Sequence, residues 1–275
     1  MPGWQDAGHR CHEQRAGHTA TLLNDGRALV AGGFEGINAL LSTAELFDPA
    51  TGKFTLASGP MNASRAHHAA ALLSSGKVLL AGGSIDPLRG DIFDPMSGAR
   101  ALLFDANAAS FSATGFMSSS RAHHTATLLS GGKVLVAGGA NIVTAEGGCS
   151  PPHTQSTSLA GAELFDPTNA IFAVTSSMTT ARSAHTAALL ANGDVLVIGG
   201  VDTKNNPLAS AECIDSADWI PSRRSAGDCH QTAGRRYEPA RIGKGVERIC
   251  GSATEKQRAS ATFHGKRAWY WGSDL

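Results

Sequence analysis

One nine-residue phrase occurs four times in this chain and constrains its fold more than any other feature. It reads Arg15-Ala16-Gly17-His18-Thr19-Ala20-Thr21-Leu22-Leu23. It returns as Arg65-Ala66-His67-His68-Ala69-Ala70-Ala71-Leu72-Leu73, then as Arg121-Ala122-His123-His124-Thr125-Ala126-Thr127-Leu128-Leu129, and last as Arg182-Ser183-Ala184-His185-Thr186-Ala187-Ala188-Leu189-Leu190. Each marked histidine (His18, His68, His124, His185) stands 14 residues before the first of two adjacent glycines. Those pairs are Gly32-Gly33, Gly82-Gly83, Gly138-Gly139 and Gly199-Gly200. The copies lie 50, 56 and 61 residues apart. A rigid segment alternates with one of variable length, as in a repeated structural unit with one permissive loop.

A third block follows the glycines. Ala44-Glu45-Leu46-Phe47-Asp48-Pro49 leads to Phe54, and Ala101-Leu102-Leu103-Phe104-Asp105 to Phe111. Ala162-Glu163-Leu164-Phe165-Asp166-Pro167 leads to Phe172, and Ala211-Glu212-Cys213-Ile214-Asp215 to Trp219. Met61, Met117 and Met178 each stand four residues before the next arginine. Four short segments per unit, separated by glycine-rich turns, read as four strands. In the second copy the first strand spans 65–73, with His68, Ala70 and Leu72 on one face. The next spans 77–81 and is apolar on both faces, as a strand buried between layers must be. Asp25-Gly26, Ser75-Gly76 and Asn192-Gly193 make the hairpin turn between these two strands. Asp48-Pro49-Ala50-Thr51-Gly52 turns the chain between the third and fourth. No 3.6-residue period supports a helix. Ile92-Phe93-Asp94-Pro95 duplicates the third-strand wording, but only 101–111 keeps the repeat's spacing to the next arginine.

A four-stranded unit repeated every ~50 residues is a propeller blade. The Arg-x-x-His start, the Gly-Gly close, the Asp-Pro turn and the final Phe or Trp resemble the kelch repeat family. The wording is similar to its bacterial branch and to the central domain of galactose oxidase. The expected fold is thus all-β, a kelch-type β-propeller with four recognisable blades near 15–57, 65–114, 121–175 and 182–220, together spanning residues 1–220. The resemblance implies more blades than four, so the ring reads as incomplete. It also implies an exported, periplasmic or extracellular protein.

After Trp219 the pattern stops. Residues 221–275 hold 11 Lys or Arg against 5 Asp or Glu, while the whole chain has 23 of each. Three readings of this tail stand: a basic segment for an acidic partner, a degenerate blade, or an out-of-frame stretch. Net charge zero argues against a generic nucleic-acid binder. No run of 18 apolar residues predicts a membrane span. Cys11, Cys149, Cys213, Cys229 and Cys250 form no C-x-x-C pair and read as free thiols or packing residues.

The chemistry divides into what repeats and what varies. Arg15, Arg65, Arg121 and Arg182, with the four marked histidines and the four glycine pairs, recur in every copy. They read as structural, the arginines bonding backbone or a carboxylate of the next blade. His67-His68 and His123-His124 are not expected to chelate, because strand neighbours point to opposite faces. No nucleophile elbow, phosphate loop or zinc motif occurs. Copper-radical chemistry would need tyrosines, and Tyr237 and Tyr270 both fall in the tail. No catalytic residue, metal or cofactor is expected. Asn62-Ala63-Ser64 fits a glycosylation acceptor, a triplet common by chance.

Function is expected on the variable connections between second and third strands: 34–43, 84–100, 140–161 and 201–210. The two longest carry Asp86, Arg89, Asp91, Arg100, Asn141, Glu146, His153 and Gln155. Of these, Asp86, Arg89, Asp91, Asn141, Glu146, His153 and Gln155 are the candidate ligand-binding residues. The expected activity is non-catalytic recognition of a protein or carbohydrate through this face. The alternative is the propeller part of a carbohydrate-active enzyme, oxidase- or epimerase-like.

Overall fold

A computed structural model of the chain describes residues 14–36, 39–83, 97–145, 153–175 and 177–214. All of them lie within one compact unit. The described residues contain no α-helix, only strands, turns and one short 3-10 segment at Ser97–Ala99.

The first sheet consists of β1 (Thr19–Leu22), β2 (Ala28–Ala31), β5 (Ala44–Asp48) and β6 (Lys53–Leu56). Between β2 and β5 sits a small ribbon of β3 (Phe34–Glu35) and β4 (Ala39–Leu40). The second sheet is β7 (Ala69–Leu72), β8 (Val78–Ala81), β9 (Ala101–Asp105) and β10 (Ser110–Ala113). The third is β11 (Thr125–Leu128), β12 (Val134–Ala137), β15 (Ala162–Asp166) and β16 (Ile171–Thr175), interrupted by a ribbon of β13 (Ala140–Ala145) and β14 (His153–Ser158). The fourth shows three strands among the described residues: β17 (Thr186–Leu189), β18 (Val195–Ile198) and β19 (Ala211–Ile214). Every sheet is an antiparallel meander in chain order. The third strand of the second sheet is 101–105, as the spacing required.

Local chemistry explains the turns. Between β1 and β2 the Leu23 N–H donates to the Arg27 carbonyl at 2.8 Å, and the Gly26 N–H to the Leu23 carbonyl at 3.1 Å. That is a three-residue loop with the glycine at positive φ, one residue longer than the dipeptide signal suggests. Between β5 and β6 the Asp48 carboxylate accepts from the Ala50 N–H at 2.8 Å and the Thr51 hydroxyl at 2.9 Å. The partners of Asp48 hold its carboxyl below the usual range, the Ala50 N–H foremost. Opposite each other on the third and fourth strands lie Phe47 and Phe54, Phe104 and Phe111, and Phe165 and Phe172, with ring centroids 4.9, 5.0 and 4.9 Å apart. Such cross-strand pairs stabilise by up to roughly 1 kcal/mol each.

Three apolar clusters divide the core, one per joint between successive sheets. Leu29, Ala31 and Leu46 of the first sheet meet Val78, Leu80 and Phe104 of the second. Leu79, Ala81 and Met117 meet Val134, Val136 and Phe165. Leu135, Leu164 and Met178 meet Val195, Val197 and Ile214. This is why the second strands are apolar on both faces: β8 and β12 are buried at every position.

The joints also carry the repeated polar residues. The Gly33, Gly83 and Gly139 N–H groups donate to the carbonyls of Arg65, Arg121 and Arg182 in the following sheet at 2.8, 2.9 and 2.9 Å. Nε2 of His68 shares a 2.8 Å hydrogen bond with the Thr19 hydroxyl of the preceding sheet, and Nε2 of His185 a 3.1 Å bond with Thr125. His68, Ala70 and Leu72 all face the preceding sheet, as their alternation implied.

Four expectations need correction. First, the opening strand does not start at its arginine. Residues 17, 67, 123 and 184 adopt positive φ, and regular pairing begins two residues later, at 19, 69, 125 and 186. Second, the arginines bond within their own sheet rather than to the next. Arg121 donates from Nη1 to the carbonyls of Gly138 and Gly161, and from Nη2 to Glu163 at 2.7 Å; Arg15 and Arg182 reach Glu45 and Glu212 likewise. Arg65 has no such carboxylate, because Leu102 stands where the other sheets carry glutamate. Third, two of the long connections are not plain loops but carry the β3–β4 and β13–β14 ribbons. Fourth, Cys213 is buried and disulfide-bonded, not a free thiol.

The three buried histidines make the joints acid-sensitive. Burial, reinforced by the neighbouring arginine charge, pushes His68 down to about 3 and His185 to about 4, and holds His124 well below the ordinary imidazole range. Below about pH 6.5 the unfolded chain takes up protons at these sites that the folded chain refuses. Stability is therefore fully present above that pH and falls as pH drops toward 4, by about 1.4 kcal/mol per pH unit for each group. Urea unfolding midpoints from pH 7.5 to 4.5 will show the decline, and a flat profile would contradict neutral imidazoles in the joints.

His124 differs from its counterparts. It is buried, and no side-chain hydroxyl among the described residues meets its ring. The preceding sheet carries Ala69 where the others carry Thr19 or Thr125. Ala69→Thr restores the missing hydroxyl and is expected to stabilise the fold by about 1 kcal/mol. Thermal and urea unfolding of the single variant test this, and a lowered midpoint would refute it.

Candidate functional site

First strands of successive sheets are neighbours, β1 beside β7, β7 beside β11 and β11 beside β17, so they form the inner edge of the array. The connections from second to third strand and from fourth to first strand emerge on one side of each meander. At the inner edge of that side runs a row of four residues, Gly17, His67, His123 and Ala184, with φ of 66°, 56°, 55° and 53°. The N–H of each later member donates to the carbonyl of the one before, at 2.8, 3.0 and 2.9 Å. The backbone of the row is constant from sheet to sheet; its side chains are not.

His67 and His123 stack, with ring centroids 4.1 Å apart and planes 29° from parallel. Phe34, the first residue of β3, extends the stack at 5.8 Å from His67 with a 51° tilt. Gly17 makes room for this: a Cβ there would lie 3.0 Å from His67 Cε1 and 3.1 Å from Phe34 Cε1. His123 is exposed and His67 half-buried. Holding a non-glycine residue at positive φ costs on the order of 1 kcal/mol, which the row bonds offset.

Partial burial lowers the pKa of both rings, and at His123 the neighbouring His67 adds to it. Both are neutral at pH 7, so each offers one donor, one acceptor and a π face. None of the described residues hydrogen-bonds to either ring. Their adjacency in sequence to His68 and His124 is not that of strand neighbours, since positive φ breaks the strand between them. Each marked histidine turns into a joint while its predecessor stays in the row.

Short ribbons and bridges frame the row. Ala16 bridges Phe34, Ala122 bridges Ala140, and Ser183 bridges Val201, so the residue after three of the four Gly-Gly pairs returns to the inner edge. In the longest connection, Asn141 Oδ1 accepts from the Ser120 hydroxyl at 2.8 Å, while Gln155 pairs with Val143 and His153 with Ala145 across the β13–β14 ribbon. Asn141, His153 and Gln155 thus belong to one ribbon. Asp86, Arg89, Asp91 and Glu146 lie outside the described residues. Arg100 sits over the exposed Phe116 ring at 5.5 Å on the same side. Among the described residues no group of three or more His, Cys, Asp or Glu side chains converges as a metal site.

Sequence reasoning passed over the stacked pair. The signal was present at the position before the marked histidine, which reads Gly, His, His, Ala across the copies.

No family model and no curated protein matches the chain. Solved structures do match. One, titled "Structure of YjhT", a kelch-like β-propeller, aligns with a TM-score of 0.60 at 16% identity, covering 78% of this chain and 70% of that one. With the meander sheets and their face-to-face joints, this likeness shows the chain to have a β-propeller fold.

Proposed function

We propose that the protein is a non-catalytic binding scaffold that takes a protein or carbohydrate ligand on the side bearing the inner row. The observation that carries this reading is the row itself: its backbone is the same in four sheets, yet its side chains differ. Residues serving the blade repeat, whereas residues serving a ligand have reason to vary. Two neutral, stacked imidazoles with no hydrogen bond from the described residues offer a polar and aromatic surface. Connections of 10, 17, 22 and 10 residues around them make the surface asymmetric. The β13–β14 ribbon, with Asn141, His153 and Gln155, is the proposed second contact region, and Asp86, Arg89, Asp91 and Glu146 remain proposed contributors.

The test is a screen of wild-type protein against a glycan array and a displayed peptide library, repeated with His67→Ala/His123→Ala. A ligand of the wild type is expected to lose at least about tenfold in affinity to the double variant, or about 1.4 kcal/mol, while the unfolding midpoint stays within error or rises. Equal binding by the double variant would remove the row from the site. Turnover of any bound sugar would reject the non-catalytic reading.

A further inference from the structure

We infer that the ligand is a protein, one of whose aromatic side chains stacks on the free face of His123, over Ala184. The inference rests on the reading of the row as a binding site and narrows the ligand's class. Row neighbours are joined by N–H···O bonds, and backbones joined in this way run about 5 Å apart. That step is close to a stacking distance, so rings on successive row residues lie against one another. Three of the four places hold a ring. His67 and His123 supply their own, with centroids 4.1 Å apart. Gly17 has no side chain, and Phe34 fills its place, 5.8 Å from His67.

The fourth place has the backbone of the row but no ring. Ala184 is at positive φ like His67 and His123, and its N–H bonds the His123 carbonyl at 2.9 Å. Its side chain is only a methyl group. Val201, the fourth sheet's counterpart of Phe34, is not aromatic. His67 covers one face of His123, so the other is turned toward Ala184. His123 and Ala184 are both exposed. Among the described residues, no ring other than His67 stacks on His123. Both residues belong to adjacent described sheets, whose first strands β11 and β17 are neighbours.

Two features favour an aromatic side chain over a sugar. The chain already seats one, Phe34, at the opposite end of the same stack. The floor at the free end is also poor in hydroxyls. Ser183, next to Ala184, is buried with its hydroxyl 3.0 Å from that of Ser158, and Ser158 donates to the carbonyls of Val201 and Asp202 at 3.2 and 3.1 Å. A sugar needs hydrogen-bond partners around its rim, and these hydroxyls are already committed. A ring needs a π face and an apolar floor, which His123 and the Ala184 methyl group supply.

The test is a magnetic-resonance titration of the full chain, carrying carbon-13 in its histidine rings, with N-acetyl-tryptophanamide. N-acetyl-leucinamide and methyl glucoside are the controls, and His123→Ala assigns the His123 signal. The tryptophan probe is expected to move the His123 ring signals upfield and saturably. The shift at His67, which has Phe34 on one side and His123 on the other, is expected to be smaller. Neither control should reproduce it. Ala184→His puts a ring in the fourth place, at a φ that His67 and His123 already hold. It is expected to weaken the response of His123 at least about tenfold, with the other histidine signals unchanged. No response at His123, an equal response to leucinamide, or a response to the glucoside instead would overturn the inference. So would an undiminished response in folded Ala184→His; if that variant does not fold, the three wild-type titrations decide. The scaffold reading fails separately, when a ligand from the screen binds His67→Ala/His123→Ala as well as the wild type.

Discussion

Replacing Arg121 by methionine will cost about 3–5 kcal/mol, while the same change at Arg65 will cost no more than about 2 kcal/mol. The two arginines hold the same place in successive sheets and are equally buried. Their surroundings differ in one residue. Arg121 pairs with Glu163 at 2.7 Å, and each side chain is 2% exposed. The second oxygen of Glu163 accepts from the Ser118 N–H at 2.7 Å. Removing the guanidinium strands a carboxylate in the interior, and that desolvation, more than the lost attraction, sets the cost. Arg65 instead donates from Nη1 to the carbonyls of Gly82 and Arg100 at 3.0 and 3.1 Å, and its Nε and Nη2 have no partner among the described residues. Burial, with the nearby Arg100 charge, lowers its pKa to about 10. Loss of Arg65 gives up two hydrogen bonds but relieves a buried charge.

Leu102→Glu completes the comparison. With Arg65 present, the new carboxylate gains the partner that Glu45, Glu163 and Glu212 already have, and the fold should tolerate it. In an Arg65→Met background it will cost several kcal/mol more, as an unpaired buried charge does. Urea denaturation of the four proteins measures the coupling. Equal costs for the two arginine variants, or no coupling between 65 and 102, would show that burial of the carboxylate does not control this position.

Gly138→Ala will destabilise the protein by about 3 kcal/mol or more, and Gly199→Ala by about 1 kcal/mol. Both glycines have positive φ, 61° and 67°, so both variants bear the cost of a side chain there. Only Gly138 is crowded. Its Cβ would lie 2.6 Å from the Arg182 carbonyl oxygen, 2.7 Å from His185 Cε1 and 2.9 Å from Met178 Cε. The first of these is backbone, fixed by the Gly139 N–H bond, and cannot move without opening the joint. Thermal melts of the two variants check the difference. Similar losses would mean that backbone conformation alone, and not the joint, selects glycine here.

The contrast in these pairs explains how much of the fold was readable in advance. Second strands such as 78–81 were legible because burial on both faces demands an unbroken apolar run. The Asp48 turn was legible because its carboxylate and glycine act within five residues. The start of the first strand was not. Its break at His67 and His123 is imposed by N–H bonds to the neighbouring sheet, and nothing local in those residues favours positive φ. The arginine partners were misassigned for a related reason: Glu45 and Glu163 sit 30 and 42 residues from Arg15 and Arg121, and sequence spacing does not say whether such a pair closes within a sheet or between sheets.

Of the proposed site, the variable connections were legible in the sequence, because insertions mark where a repeated unit tolerates change. The sequence left the stacked pair unseen, because variation at one position reads as noise until the rings are found 4.1 Å apart. The amino-acid sequence by itself therefore determined the blade: four strands, their order, their turns and the residues each unit needs. The tertiary structure decided everything that depends on two blades meeting. It set which nitrogen finds a hydroxyl and which glycine carries a neighbour's carbonyl against it. Those relations join residues about 50 positions apart through short-range forces, which act only once packing has brought them into contact.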